Sequence, residues 1–218
     1  ESIRFMARYT GSSCKKCRRL ETKLFLKGSK CFNNCVLTKR EGATAGRRGG
    51  AGKKRRGKLS EYAIHLNEKQ KARFSTGMGE RQFSNLFKKA TKTTGQTGEN
   101  FLGMLETRLD NMVRRAGFAM SLRTARQIVF HGHVFVNGKK MDIPSYPVKE
   151  GQKITISTEM ANSPIVKLAL EEAEKRQLRP SFIEYQADKH TAVLTRKPTR
   201  EEMSQAVNEQ LIIEYYSK

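Results

Sequence analysis

Long apolar segments are missing from this sequence. No run approaches the roughly 18 consecutive apolar residues of a membrane-spanning helix, and the first residues do not form the apolar block of a secretory signal. Hydrophobic residues make up only 37% of the chain, although its 218 residues are enough for a real hydrophobic core. We therefore expect a cytoplasmic protein of one or two domains that does not bind a membrane.

Acidic residues are also scarce. Asp and Glu number 21 against 43 Lys and Arg, which leaves a net charge of +22. A free protein with this charge repels itself, and the usual partners that remove the repulsion are nucleic acids or anionic membrane surfaces. Because no segment is suited to a membrane, this balance favours RNA.

Catalytic patterns are lacking as well. No Ser-His-Asp order has local support, and the acidic residues are scattered through predicted helices as ion-pair partners. The string His131-Gly-His133 resembles part of a nucleotide-binding signature of some aminoacyl-tRNA synthetases, but here it joins a basic helix to a hairpin without a Gly-rich phosphate loop. His131 therefore either contacts the helix dipole, a phosphate or a 2′-hydroxyl, or is an ordinary solvated or core histidine. We predict no catalytic residue and no enzyme.

All four cysteines lie in one short segment. Cys14-x2-Cys17 and Cys31-x3-Cys35 form two pairs separated by thirteen residues, an arrangement in which four thiolates can surround one tetrahedral zinc ion. Four sulfur ligands leave no position open for water, so the predicted zinc is structural. Incidental cysteines, a redox pair and an iron–sulfur cluster are the alternatives.

A Gly-rich basic loop follows, from Lys39 to Lys58, with nine Lys and Arg residues and a single Glu. Such a segment cannot bury apolar surface. One interpretation is a disordered, solvated linker. The other, which the net charge favours, is a segment that threads between RNA strands and becomes ordered there.

Periodicity and end signals predict the remaining elements. Helices are expected over residues 60–74, 80–92, 102–116, 122–129 and 163–176, with a brief helix from Thr199. Asn137-Gly138 predicts a tight hairpin, and strands are expected at 154–156, 182–185, 191–194 and 211–216. The helix after Ser121 has one apolar side and one basic side, so one face can pack while the other meets RNA.

Several blocks of the chain resemble a known family. The stretches 109–117, 121–138 and 143–146 resemble the S-four RNA-binding module, which also occurs in some pseudouridine synthases and tyrosyl-tRNA synthetases. Blocks outside the module, such as Met6-Ala-Arg-Tyr-Thr-Gly11, Glu80-Arg-Gln-Phe83 and the ending from Val207, resemble the bacterial small-subunit ribosomal S-four family itself. The resemblance extends from Met6 to Lys218, and the four cysteines match the zinc-bearing branch of this family.

The resemblance implies an α+β fold: a mostly helical N-terminal domain with a zinc-bound segment, and an inserted small α/β RNA-binding module of S-four type (the αL motif). The expected domains are a zinc segment and basic loop at 6–58, a helical domain at 59–106, the module at 107–157, and a C-terminal helix and tail at 158–218 that packs on the helical domain.

The function implied by the resemblance is that of a structural ribosomal protein. It would bind 16S ribosomal RNA as a primary binder and nucleate assembly of the body of the small (30S) subunit. Its other expected partners are proteins S-five and S-three and the mRNA near the entry channel, and with S-five it would influence decoding accuracy. An RNA-modifying enzyme or an RNA chaperone that uses the same module is the alternative. The sequence leaves only about 60 residues after the module, too few for a separate catalytic domain.

Two sets of site residues follow. The predicted zinc ligands are Cys14, Cys17, Cys31 and Cys35. The predicted rRNA-binding residues are Arg8, Arg47, Arg48, Lys53, Lys54, Arg55, Arg56, Lys58, Arg108, Arg115, Arg123, Arg126, His131, Lys139 and Lys140. Their contacts would be mainly with phosphates, so binding should weaken with salt.

Overall fold

The structure is a computed structural model that describes residues 9, 11–39, 59–188, 190–203 and 207–217. The described residues form two compact units, one from the N-terminal part up to Gly98 together with residues 207–217, and the other from Glu99 to Met203. Within these ranges, no helix is both long and apolar enough to span a bilayer.

The secondary structure is mixed, with more helix than strand. The helices are α1 (Ser13–Leu20), α2 (Ser29–Asn33), α3 (Val36–Lys39), α4 (Glu61–Ser75), α5 (Glu80–Thr91), α6 (Thr97–Glu106), α7 (Leu109–Arg115), α8 (Leu122–Phe130), α9 (Thr158–Ala161), α10 (Pro164–Lys175) and α11 (Glu209–Ser217). The strands are β1 (Val134–Val136), β2 (Lys139–Lys140), β3 (Lys153–Ile156), β4 (Ile183–Gln186) and β5 (Thr191–Leu194). This composition confirms the predicted α+β class.

The first unit is built of helices, with α4 packed against α11 and α1. The helix expected from residue 60 begins there, and the Ser60 hydroxyl caps α4 by accepting a hydrogen bond from the Ala63 N–H over 3.3 Å. Ile212 of α11 is fully buried, and the Tyr216 ring stacks on Phe87 of α5 with centroids 4.5 Å apart. These contacts hold the C-terminal helix in the unit.

The final strand predicted at 211–216 is wrong, because this segment is helical. Its β-branched and aromatic residues favour a strand locally, but tertiary packing decides otherwise. Helical spacing lets Ile212 enter the core while the Glu214 carboxylate meets His65 Nε2 at 2.9 Å. It also places the Tyr215 ring under the Lys69 ammonium, 4.4 Å from the ring centre.

A single antiparallel sheet organises the second unit, with strand order β2-β1-β3-β5-β4. The predicted hairpin is confirmed: Asn137 and Gly138 have φ values of 50° and 78°, and Val136 pairs with Lys139. The core combines this sheet with α7, α8 and α10, and its largest enclosed side chains include Leu109, Met112, Phe118 and Phe182.

The single long helix expected over residues 102–116 is broken in two. Thr107 lies in a turn at the end of α6, and Arg108 is extended before α7 and forms an antiparallel bridge with Pro147. The Val148 N–H donates to the Thr107 carbonyl and the Leu109 N–H donates to the Tyr146 carbonyl, both over 2.9 Å. A helical apolar period does not reveal such a break, because the partner strand lies some forty residues further along the chain.

The structure also divides the chain differently from the expected domains. The segment 158–218 was expected to pack on the helical domain, but β4 and β5 belong to the sheet of the second unit through the β3–β5 pairing. Of the described part of this segment, residues 207–217, which include α11, join the first unit. The brief helix expected from Thr199 is a turn instead, in which the Glu202 carboxylate accepts hydrogen bonds from the Thr199 N–H and the Arg196 guanidinium at 3.0 and 2.6 Å.

Candidate RNA-binding surface and cysteine cluster

The three short N-terminal helices carry the four cysteines. Cys14 and Cys17 lie on α1, Cys31 lies on α2, and Cys35 directly precedes α3. All four are free thiols, and the Lys27 N–H donates to Cys31 Sγ over 3.2 Å. In the ranges that the structure describes, no group of three or more Cys, His, Asp or Glu side chains is arranged to hold a metal ion.

Burial, mutual repulsion and backbone N–H groups shift the pKa values of Cys17, Cys31 and Cys35. Burial raises the pKa of Cys17, and the other three cysteines raise it further, so the four groups are within electrostatic reach of one another. Burial also raises the pKa of Cys31, against the stabilising N–H of Lys27. At Cys35 desolvation is outweighed by the N–H groups of Leu37 and Thr38, which lower its pKa.

Eight of the predicted rRNA-binding residues lie outside the described part of the chain, and their roles stay predictions. They are Arg8, Arg47, Arg48, Lys53, Lys54, Arg55, Arg56 and Lys58.

Arg108 is placed inward and holds the start of α7. Only 5% of Arg108 is exposed, and its Nε and Nη2 donate to the two carboxylate oxygens of Asp110 at 3.2 and 3.0 Å. Arg126 of α8 approaches the same carboxylate, with Nη1 at 3.5 Å from Oδ2. Two predicted RNA-binding residues, Arg108 and Arg126, therefore share the Asp110 carboxylate, and Arg126 is the more accessible of the two.

Arg115 is held in a second ion pair. Its Nη2 and Nε donate to the Glu106 carboxylate at 2.8 and 3.1 Å, and about a quarter of its side chain is exposed, at 23%. Asn111 links the same carboxylate to Arg114, whose pKa is lowered to about 10 by burial and by the neighbouring Arg115. The Arg114 guanidinium therefore stays charged at neutral pH.

The outer face of α8 is the most accessible part of the predicted site. Ala125, Ile128 and Val129 are buried in the core, as predicted. On the opposite side Arg123 and Phe130 are exposed, seven positions apart and so on one helical face. The Ser121 hydroxyl caps the helix by accepting from the Thr124 N–H over 3.2 Å, which fixes where this face begins.

This face continues into the hairpin. The Phe130 and His131 rings lie 6.4 Å apart, as do the His131 and His133 rings. Gly132 has a φ of +75°, and a Cβ added there would lie 2.2 Å from Lys140 Cε, so the stem of Lys140 runs directly over this glycine. We call the set Arg123, Phe130, His131, Lys139 and Lys140 the α8 edge; all five are exposed.

Phe130 is the functional candidate that sequence reasoning missed. It is 72% exposed, the highest value among the large apolar side chains that the structure describes. A large aromatic ring between a basic helix face and two histidines is the available signal, since isolated exposed apolar residues are otherwise unremarkable. Exposed aromatic rings beside cations are the surfaces on which unpaired bases stack.

Comparison with known proteins agrees with the two-part architecture. A family model described as the ribosomal protein S4/S9 N-terminal domain matches residues 8–106, and one described as the S4 domain matches residues 107–154. These matches define the class: proteins that join an S4/S9 N-terminal domain to an S4 domain.

Full-length relatives carry one name. Small ribosomal subunit protein uS4 of Thermodesulfovibrio yellowstonii is 49% identical over 98% of this chain and 100% of its own length. Those of Acetivibrio thermocellus and Thermus thermophilus are 46% and 44% identical over the same shares. The chain belongs to the uS4 family, which confirms the resemblance to the S-four family.

Proposed function

We propose that this protein is a structural component of the small ribosomal subunit that binds 16S rRNA directly and performs no catalysis. The observation that carries the proposal is the α8 edge: a solvent-exposed surface of cations and an aromatic ring on a helix whose other face is fixed in the core. Membership of the uS4 family supports it, because the matched relatives are named as small-subunit proteins.

The chemistry of the α8 edge suits folded RNA. Arg123, Lys139 and Lys140 offer charge-assisted donors to phosphates, and phosphate contacts dominate the affinity of basic proteins for RNA. Phe130 and His131 offer ring faces to bases in loops and bulges, where sequence-specific RNA recognition concentrates. Rigid support from the core means that little conformational entropy is lost when RNA binds.

The ion-paired arginines stabilise the elements that carry the α8 edge. Arg108 and Arg126 share Asp110, so α7 and α8 are tied together at the base of the α8 edge. Arg126 and Arg115 are accessible enough to reach RNA, with side chains 21% and 23% exposed, whereas the side chain of Arg108 is only 7% exposed. The RNA roles of all three stay predictions beside their structural ion pairs.

The cysteine cluster is proposed to bind one structural zinc ion through Cys14, Cys17, Cys31 and Cys35. The donor set fits this ion: once deprotonated, the four sulfurs in their two short-spaced pairs would repel one another, a divalent cation would offset that repulsion, and the Lys27 N–H already donates to a sulfur. Bound zinc would neutralise the thiolates and join α1 to α2 and α3.

Metal analysis should find one zinc per chain, and this zinc should be lost in Cys17→Ser. A metal-free chain with a Cys14–Cys17 disulfide would favour the redox pair.

The surroundings in the subunit follow from the family resemblance. We propose contacts with proteins S-five and S-three near the mRNA entry channel, a role in nucleating assembly of the subunit body, an influence on decoding accuracy, and a cytoplasmic location.

Sucrose-gradient sedimentation of the tagged chain tests whether the protein is a component of the small subunit. Stoichiometric recovery in small subunits is expected, and recovery only with free or precursor RNA would contradict the proposal.

Direct RNA binding is tested with a matched pair of double variants. Arg123→Ala with Lys139→Ala removes two cations from the α8 edge, and Lys167→Ala with Lys175→Ala removes two exposed cations from α10 in the same unit. In filter-binding titrations with 16S rRNA, only the first pair should weaken binding. Equal losses would show that net charge, not this surface, carries the affinity.

A further inference from the structure

The first unit contains a cavity whose walls include no residue of the α8 edge. It has a volume of about 690 Å³ and lies where α1 meets the end of α4 and the start of α5. Its walls include the rings of Tyr9 and Phe74 and the side chain of Met78. A cavity of this size takes a drug-sized or nucleotide-sized ligand rather than a single ion.

Cations surround this cavity. Lys15 and Arg19, one helical turn apart on α1, are both exposed and both line it. Neither forms an ion pair with another residue that the structure describes. Among the described residues of the wall, Glu80 is the one carboxylate, and it already binds Lys69 and Arg73 at 2.6 and 2.8 Å. The cavity therefore has positive charge left to offer and no negative charge left to repel an anion.

The aromatic wall is already organised by a cation. The Lys16 ammonium lies 4.2 Å from the centre of the Tyr9 ring and 4.4 Å from that of Phe74, so both rings face one electropositive region. Tyr9 is 45% exposed, which leaves ring surface accessible from solvent. Flat apolar surface next to positive charge matches one ligand chemistry: an aromatic base that carries a phosphate.

We propose that this cavity binds one unstacked nucleotide of single-stranded RNA, with the base against Tyr9 and Phe74 and the flanking phosphates at Lys15 and Arg19. The proposal rests on the proposed function in that RNA is taken as the partner, and it adds a second, base-accepting site in the other unit. A phosphate alone would leave the ring wall unused, and an acidic peptide would gain nothing from two aromatic faces.

The experiment compares two oligomers of equal length and charge: octaadenylate and an octamer of abasic ribose phosphates. Binding of each to the full chain is measured by fluorescence anisotropy at one salt concentration. We expect octaadenylate to bind about tenfold more tightly, because each base that stacks on an aromatic side chain adds affinity. In Tyr9→Leu and in Phe74→Leu, each made in a Phe130→Ala chain so that this ring of the α8 edge cannot stack a base, the ratio should fall towards one, while Lys15→Ala with Arg19→Ala should weaken both oligomers equally.

Circular dichroism shows whether each variant is folded, and exposed Tyr9 provides a variant with little risk to the core. Equal binding of the two oligomers by the unaltered chain overturns the proposal and leaves a phosphate site only. A ratio that persists in a folded Tyr9→Leu variant and in Phe74→Leu overturns it too. These results are independent of whether the chain sediments with small subunits, so failure of the nucleotide site and failure of the proposed function are distinguishable.

Discussion

Substitution of one exposed ring, that of Phe130, distinguishes base stacking from simple charge attraction at the α8 edge. Phe130→Ala should weaken 16S rRNA binding by about 1–3 kcal/mol, since stacking on an aromatic side chain contributes that much per base. Its stability should hardly change, because 72% of Phe130 is exposed. Filter binding and urea unfolding measure the two effects.

Leu168→Ala on α10 is the matched control for that variant, because Leu168 is also apolar and 60% exposed. It should leave both rRNA binding and stability unaltered. If Phe130→Ala binds as tightly as the unaltered protein, the ring does not contact a base and the α8 edge acts through its cations alone.

Asp110 is the shared counter-ion of two arginines. It is 1% exposed and faces both Arg108 and Arg126. Asp110→Asn leaves the buried Arg108 charge without a counter-ion, so the free energy of unfolding should fall by roughly 3–5 kcal/mol. Urea denaturation measures this change, and the exposed Asp142→Asn variant, with the same chemical change, should lose less than about 0.5 kcal/mol. A small effect at Asp110 would mean that water reaches the pair.

At the scale of elements, α11 shows how packing overrides local preference. Ile212→Ala should lower the free energy of unfolding by about 2–5 kcal/mol, because its side chain is fully buried in the first unit. Ile165→Ala on α10, where the side chain is 55% exposed, is the control and should be close to neutral. A near-neutral Ile212→Ala, as small in effect as Ile165→Ala, would contradict the burial of Ile212 and with it the packing of α11.

Elements with local signals were predictable from the sequence. The N-caps at Ser60 and Ser121 and the Asn137-Gly138 turn act within a few residues, so composition is enough to find them. The break between α6 and α7 and the helical state of α11 were not, because each depends on a partner segment far away in the chain.

The candidate site, too, was only partly predictable from the sequence. Sequence reasoning named Arg108 and Arg123 together, since both are basic residues within the module. Only the fold shows that one is 5% exposed and paired with Asp110 while the other is exposed on α8. Phe130 was missed because an aromatic residue is expected in a core, and only its position on the outer face of α8 gives it another role.

At the scale of the whole molecule, a net charge of +22 makes RNA binding an electrostatic process that salt must weaken. The logarithm of the binding constant for 16S rRNA should fall linearly with the logarithm of salt concentration, with a slope of about 0.7–0.9 for each phosphate neutralised. Net charge alone does not set this slope, because only cations that contact phosphates release counter-ions. The slope therefore counts contacts and not charges.

This distinction yields a test of where the contacts are. The double variant Arg123→Ala with Lys139→Ala should reduce the slope by about 1.4–1.8, whereas Lys167→Ala with Lys175→Ala, which lowers the net charge equally, should leave the slope unaltered. Titrations at four or more salt concentrations measure it. If both pairs reduce the slope alike, the α8 edge has no special share in the contacts, and the RNA must be held by a diffuse field or by other basic segments of the chain.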